Sequence, residues 1–350
     1  MKKKSYCFVA GQSGGHIIPC IALAEQVIQK EPIAHILFFT TTHTLDRSIT
    51  RNLTNNYTLI SLPITAMTRI TPYTFIKMVY HLCIAWGISM YYLMQYTPQS
   101  ITSTGGICAI PVVIAGYMLR IPIDLYELNV LPGKTISFLS TIARTVYCCF
   151  ERTLHFLPKA HGKQAVYPLR AIHQRLSTRH NNNATKNILI IGGSQGSLFI
   201  NNAIKQWLDT EPAKHHFFIM HQTGSIDTTH WQQWYAQRGI SATVFSFTDT
   251  LHTYYTQADL VICRSGAGSL FEAAYYHIPC ITIPLESAHN THQIHNAFTV
   301  AQNNPTLFHV ITQSTITNNP TILATYIHTL LPICSHPSIQ HAQEKSSSVS

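Results

Sequence analysis

Residues suited to holding a phosphorylated ligand recur at three glycine-rich turns. Gly11-Gln12-Ser13-Gly14-Gly15-His16 follows the apolar run Tyr6–Ala10, Gly192-Gly193-Ser194-Gln195-Gly196 follows Ile188–Ile191, and Arg264-Ser265-Gly266-Ala267-Gly268-Ser269 follows Leu260–Cys263. Glycine lets a backbone approach a ligand closely, and a helix that starts there offers N–H groups and a positive dipole end to a diphosphate. Glu272 stands one turn into the helix expected after the third turn, where a carboxylate can accept both hydroxyls of a ribose. His16 stands at the helix start beside the first turn, where a neutral imidazole can take a proton near pH 7. The first turn lacks the G-x-G-x-x-G spacing of a dinucleotide fold, and no acid occurs near residue 35, so NAD binding is disfavoured.

Such turns need rigid strands and helices behind them. Short runs rich in β-branched and aromatic residues read as buried parallel strands: Tyr6–Ala10, Ile36–Thr41, Thr58–Leu62, Ser100–Thr104, Ile123–Glu127 and Thr145–Phe150, then Ile188–Ile191, Phe217–His221, Thr243–Phe247, Leu260–Cys263 and Cys280–Ile283. Helical segments such as Pro19–Lys30 and Leu198–Trp207 lie between them, so the expected fold is α/β with parallel sheets. Three glycine turns at strand ends then put a ligand crevice at the carboxyl edges of the sheets. The rhythm breaks between about Thr153 and Lys186, which predicts one domain over 1–160, a second over 161–335 and a polar tail over 336–350.

The composition fits this reading. Of 350 residues, 46% are apolar and 11% charged, enough to build two large cores. The net charge of +9 favours an anionic partner, but the basic residues are scattered and form no nucleic-acid signature. Nine cysteines with no C-x-x-C pair read as reduced and buried. After Lys2, Lys3 and Lys4 the apolar stretch ends at Ala10, too short for a signal peptide, so secretion is not expected. Tyr73–Met94 is nearly all apolar apart from Lys77 and His81. Two readings stay open for it: docking on an anionic membrane, with Arg69 and Lys77 beside it, or a core helix with a snorkelling lysine.

Six motifs in order carry a family resemblance: Gly14-Gly15-His16, Glu127-Leu128-Asn129, Gly192 to Gly196, His221-Gln222-Thr223-Gly224, Arg264 to Ala267 with Glu272, and His292-Gln293 with Asn296-Ala297. From about residue 5 to 330 the chain resembles the MurG family. Those transferases add N-acetylglucosamine from UDP-N-acetylglucosamine to the undecaprenyl-linked muramoyl-pentapeptide precursor of peptidoglycan. The resemblance implies the GT-B fold, two Rossmann-like domains with parallel sheets facing a cleft. It also implies a peripheral place at the cytoplasmic face of the plasma (inner) membrane.

For matching positions it implies that Ser13, Gly14 and Gly15 line the first loop near the donor diphosphate and the acceptor. Asn129 and Arg170 would contact the donor sugar or phosphates, and Ser194 the diphosphate. Thr248 would read the uracil by its backbone. Ala267, Gly268, Ser269, Leu270, Phe271 and Glu272 would hold diphosphate and ribose, and Gln293 the sugar hydroxyls. Three departures stand out: Gln12 replaces a usual glycine, Val166-Tyr167 precedes Pro168 where Gly-Asn is usual, and Asn290-Thr291 replaces an acidic pair.

The implied reaction is inverting glycosyl transfer with His16 as base. Glu127 is the second candidate base, although holding a loop is the reading favoured for it. Arg264 stands between two readings, offsetting charge on UDP or bonding local carbonyls. No D-x-D and no H-E-x-x-H occurs, so metal-independent catalysis without a cofactor is expected. The competing readings are another GT-B enzyme making a glycolipid from a UDP-sugar, a nucleotide-binding protein without catalysis, and a nicotinamide oxidoreductase.

Overall fold

The structure, a computed structural model, describes residues 3–53, 56–64, 71–157, 162–170, 185–193, 195–224, 228–248, 250–287 and 291–331. The chain forms two compact units. One comprises Met1–Gln174, Ser265–Glu272 and Ser287–Asn303; the other comprises Arg175–Arg264, Ala273–Glu286 and Asn304–Ser350.

The first unit is built on a seven-stranded sheet of β1 (Ser5–Val9), β2 (His35–Thr41), β3 (Tyr57–Leu62), β4 (Ile101–Ser103), β5 (Ile123–Glu127), β6 (Thr145–Cys148) and β7 (Gly162–Gln164). Its spatial order is β3-β2-β1-β4-β5-β6-β7, and every pairing is parallel. Strand β1 shows why the run is apolar throughout. Cys7 and Val9 enter one core cluster, while Phe8 and Ala10 enter another on the opposite face. Alternate side chains point to opposite faces, and both faces are covered.

The second unit repeats the plan with β8 (Lys186–Ile191), β9 (Phe217–Gln222), β10 (Ser241–Phe245), β11 (Leu260–Cys263), β12 (Cys280–Thr282) and β13 (Phe308–Val310), in the order β10-β9-β8-β11-β12-β13, again all parallel. In each sheet the strand order reverses once, between β1 and β4 and between β8 and β11. Ligands of such sheets bind outside the carboxyl ends at that reversal.

Two helices differ from expectation. The first runs from Gly14 to Lys30, five residues earlier than the expected start, with Pro19 inside it. Ser13, extended at φ −153°, precedes it, and the Ser13 carbonyl accepts from the N–H groups of His16 and Ile17 at 3.1 Å. Pro19 is the sixth helical residue, so its missing N–H leaves the Gly15 carbonyl without its i→i−4 donor.

The second is Pro72–Tyr96. It opens with a capping box in which Thr74 N–H donates to Thr71 Oγ1 at 3.2 Å and Thr71 N–H donates to Thr74 Oγ1 at 2.7 Å. Its fully buried residues are only Ala85, Ser89 and Leu93, in the second half. Trp86 and Tyr92 pack against the core, but Tyr73, Phe75, Ile76 and Tyr80 stand exposed, as does Tyr91. The core-helix reading therefore fails for the first half of this helix. Among the described residues no helix is long and apolar enough to cross a membrane. Arg69 lies outside the described residues.

Candidate active site

In the first unit the loops after the adjacent strands β1, β4 and β5 leave the carboxyl edge of the sheet. The loop after β1 is tightly packed, since a Cβ on Gly11 would lie 2.8 Å from Thr41 Cγ2. Gln12 adopts φ 71°, left-handed backbone that favours glycine, so the departure noted at this position carries a conformational cost. Buried Asp46 holds the loop. Its carboxylate accepts from Gln12 N–H, Thr41 N–H and the hydroxyls of Thr40 and Thr41 at 2.6–3.1 Å.

Beside this loop, after β4, lies a fourth glycine turn that the sequence reading passed over. Gly105 and Gly106 have φ of +105° and +88°. A Cβ on Gly106 would come within 3.0 Å of the Gly11 carbonyl, and one on Gly105 would touch the His16 ring at 3.5 Å. Two glycines directly after an expected strand were the available signal. Ser103 and Thr104 brace the turn: Ser103 Oγ donates to Val9 O at 3.0 Å, and Thr104 Oγ1 donates to His16 O at 2.8 Å. His16 is thus held against the reversal of strand order. Burial lowers its pKa below the ordinary histidine value; the Thr104 backbone offsets part of this, and the charge of His292 adds to it. A depressed pKa keeps the imidazole neutral, the form that accepts a proton.

After β5, the buried Glu127 carboxylate accepts from Asn129 N–H at 2.8 Å, Asn129 Nδ2 at 3.2 Å and Gly133 N–H at 2.7 Å. Burial raises its pKa, and those three bonds oppose the rise. The carboxylate organises a loop, as the favoured reading of Glu127 had it. Asn129 passes the network on, because its Oδ1 accepts from Asn296 Nδ2 at 3.0 Å. Asn296 is fully buried and also bonds Val130 N–H at 2.9 Å and the Ser265 carbonyl at 3.3 Å. His292 Nδ1 lies 3.1 Å from Leu131 O. A carbonyl can only accept, so Nδ1 carries the proton there. Asn296 therefore joins three segments of one unit, a role that its motif alone does not reveal.

Helix Ala267–Tyr275 starts just after Gly266, and its Leu270 N–H donates to Gly266 O at 3.2 Å. A Cβ on Gly266 would meet nothing within 4 Å. Ala267 and Leu270 are buried, while Gly268, Ser269, Phe271 and Glu272 are half-buried. Gln293, half-buried, lies in the first turn of helix His292–Asn303. Arg170 Nη2 donates to Glu25 Oε1 at 3.0 Å, on the helix that begins at Gly14.

In the second unit the glycines serve loop-on-loop packing. Gly193, Gly196 and Gly224 have φ of +89°, +79° and +78°. A Cβ on Gly196 would lie 2.3 Å from Thr223 O, and one on Gly224 would lie 2.2 Å from Gly196 Cα. The turn after β8 and the turn after β9 touch backbone to backbone, which requires glycine at both points. Ser194 lies outside the described residues.

His221 is buried between Tyr235 OH at 2.9 Å from Nδ1 and Asn201 Oδ1 at 3.1 Å from Nε2, and burial lowers its pKa to about 3. Arg264 Nη1 donates to the carbonyls of Ile283 and Pro284 at 3.2 Å and to Gln313 Oε1 at 2.8 Å. These are the local-carbonyl bonds that one of its two readings describes. Thr248 Oγ1 accepts from Thr250 N–H at 3.1 Å, shaping the turn after β10.

Comparison with known proteins adds to this geometry. The glycosyltransferase family 28 N-terminal domain matches residues 6–148, and the C-terminal domain of the same family matches residues 187–347. Curated relatives are the UDP-N-acetylglucosamine–N-acetylmuramyl-(pentapeptide) pyrophosphoryl-undecaprenol N-acetylglucosamine transferases of Myxococcus xanthus and Protochlamydia amoebophila. The first is 30% identical over 289 residues, 82% of this chain and 75% of that one. The second is 30% identical over 311 residues, 84% and 79%. Among solved structures, Acinetobacter baumannii MurG superposes with a TM-score of 0.70 at 25% identity, covering 93% of this chain and 90% of that one. Arabidopsis thaliana UGT89C1 complexed with UDP-L-rhamnose shares the fold at a TM-score of 0.65 and 12% identity, covering 95% and 91%.

Proposed function

The chain belongs to glycosyltransferase family 28 and, within it, to the MurG transferases, and from that premise we propose that it moves N-acetylglucosamine from UDP-N-acetylglucosamine to a lipid-linked muramoyl-pentapeptide with inversion at the anomeric carbon. The observation that carries the mechanism is the seam of the first unit. There Asn296 ties the Glu127–Asn129 loop to Ser265, directly ahead of helix Ala267–Tyr275.

In this reading the N-terminus of that helix receives the diphosphate, with Ala267 to Phe271 along it and Glu272 on the ribose. Ser194 and the glycine turn around it would add diphosphate contacts, Thr248 the uracil contact, and Asn129 and Gln293 the sugar contacts. Arg170 would have to exchange Glu25 for a donor phosphate. Ser13, Gly14 and Gly15 would line the acceptor. An acceptor hydroxyl attacks the anomeric carbon, the bond to the UDP oxygen breaks, and UDP leaves with the bonding pair. Neutral His16 takes the hydroxyl proton, and the helix dipole offsets charge on the leaving diphosphate. No metal ion or cofactor enters this scheme.

We also assign residues 1–160 to the acceptor and membrane side and 161–335 to the donor. The exposed residues Tyr73, Phe75, Ile76 and Tyr80, with Lys77 among them, would rest on anionic lipid. On this reading the enzyme would act peripherally at the cytoplasmic face of the plasma membrane.

The decisive assay supplies UDP-N-acetylglucosamine and the lipid-linked muramoyl acceptor to the purified chain. Transfer of the sugar supports the reading. Normal UDP binding with no transfer overturns it, and transfer only from another UDP-sugar to a different lipid would favour the glycolipid alternative. The ribose role of Glu272 is tested by Glu272→Gln. This change should weaken UDP roughly 10- to 100-fold, the worth of one charged hydrogen bond, and leave 2′,3′-dideoxy-UDP unchanged; equal losses would refute it.

A further inference from the structure

We propose that Tyr167 is a positioning residue for the donor: its ring clamps the first turns of helix Ala267–Tyr275 and so fixes where Glu272 presents its carboxylate. The inference rests on the reading of that helix as the nucleotide-holding element.

Tyr167 is 6% exposed, whereas its neighbour Val166 is 89% exposed. The chain therefore turns the aromatic ring inward at a position where the resemblance would have a small polar residue. The ring lies flat on Phe271, with centroids 4.7 Å apart and planes inclined by 16°. Phe150 also packs on Phe271, with centroids 5.0 Å apart and planes inclined by 55°. Phe271 is thus held by two aromatic rings, one of them stacked flat on it, and a ring so packed on a short helix restrains that helix in rotation and translation.

The hydroxyl end of Tyr167 reaches further toward the helix start. A Cβ built on Gly268 would lie 3.2 Å from the Tyr167 hydroxyl oxygen, tighter than ordinary packing. Gly268 and Tyr167 are a matched pair: the phenol fits because residue 268 has no side chain. Burial, and then the nearby Glu272 carboxylate, push the Tyr167 pKa well above the usual phenol value, so the hydroxyl stays protonated beside that carboxylate. Glu272 follows Phe271 directly, so an ångström of freedom at Phe271 becomes an ångström at the ribose contact. Misplacement on that scale is costly in a site built for one geometry.

The test measures UDP binding by calorimetry and steady-state kinetics for Tyr167→Phe, Tyr167→Leu and Tyr167→Asn. Tyr167→Phe keeps the stacked ring and should bind UDP as the parent does. Tyr167→Leu fills the space without a flat face, and Tyr167→Asn empties it. Both should raise the donor KM, roughly tenfold for Asn, with the acceptor KM unmoved and kcat within about twofold. Tyr167→Leu preserves buried apolar volume and keeps the test open if Tyr167→Asn fails to fold.

Gly268→Ala approaches the same contact from the other side. Its loss of UDP affinity should be smaller in the Tyr167→Phe background, where the hydroxyl is gone. A folded Tyr167→Leu or Tyr167→Asn that binds UDP as tightly as the parent overturns the proposal. So does a Tyr167→Phe chain as weak as Tyr167→Asn, or strictly additive losses in the double variant. A parent chain that does not bind UDP would instead overturn the reading of the helix.

Discussion

The backbone N–H of Gln12 donates to both carboxylate oxygens of Asp46 at 3.1 Å, and it does so from a left-handed φ of 71°. A non-glycine residue in that conformation costs about 1 kcal/mol or more, and the buried Gln12 Nε2 finds no hydrogen-bond partner among the described residues to offset it. Gln12→Gly should therefore stabilise the first unit by about 1 kcal/mol, read as a higher urea midpoint with an unchanged m-value. Asp46→Ala strands two buried backbone N–H groups and two hydroxyls at once and should destabilise by about 3 kcal/mol or more. A Gln12→Gly chain with a lower midpoint would show that the left-handed backbone is not the dominant cost.

His16 gives a pH prediction with a definite sign. The base must be neutral to work, and burial lowers its pKa from the ordinary 6.5, with the His292 charge pushing the same way. As pH falls, protonation of His16 then begins later than for a free histidine. The acid limb of kcat/KM should reach half its plateau below pH 6.5. His16→Ala should lower kcat by roughly 10²- to 10⁴-fold while UDP still binds. If that variant kept the parent's acid limb and rate, another group would be the base.

Much of the fold was legible because parallel strands buried on both faces are continuous apolar runs. Phe8 faces one core and Val9 the other, and neither position can be polar. Strand β5 was read at its observed limits, Ile123–Glu127, and β11 at Leu260–Cys263. The missed strands are the short edges: β7 is Gly-Lys-Gln and β13 is Phe-His-Val, three residues each, with too few side chains to show a pattern.

The candidate site was legible where chemistry is local, as at His16 in its glycine turn. It was hidden where residues distant in sequence meet. Asn296 bonds Asn129 across 167 positions, Asp46 bonds Gln12 across 34, and Tyr167 rests on a ring about a hundred residues on. The need for glycine at both 196 and 224 is likewise visible only when the two turns are seen in contact.

His221 predicts an acid sensitivity of folding that is separate from catalysis. Its folded pKa is depressed from 6.5 to about 3 because burial excludes the imidazolium. Below pH 6.5 the unfolded chain takes up a proton that the folded chain refuses. The stability present above pH 6.5 is then lost progressively as pH falls toward about 3, on the order of 5 kcal/mol over the full window. His221→Leu should be less stable at pH 7, since it leaves the buried Tyr235 hydroxyl and Asn201 Oδ1 without the two ring nitrogens. It should also show a flatter dependence between pH 6.5 and 4. Parallel stability curves for the two chains would remove His221 as the cause.

Membrane docking can be separated from catalysis on the helix Pro72–Tyr96. Tyr73, Ile76 and Tyr80 lie at i, i+3 and i+7 on one face and are 75%, 68% and 63% exposed. Their apolar surface is already in water, so Tyr73→Ser, Ile76→Ser and Tyr80→Ser together should leave the melting temperature nearly unchanged. The same triple change removes most of the area that can enter a bilayer interface. Co-sedimentation with phosphatidylglycerol vesicles should fall by tenfold or more, because about 1–2 kcal/mol of burial per side chain is lost. Residual binding should be salt-sensitive, carried by Lys77 and the net charge of +9. UDP affinity should not move. A triple variant that still sediments with vesicles as the parent does would place the membrane contact elsewhere on the chain.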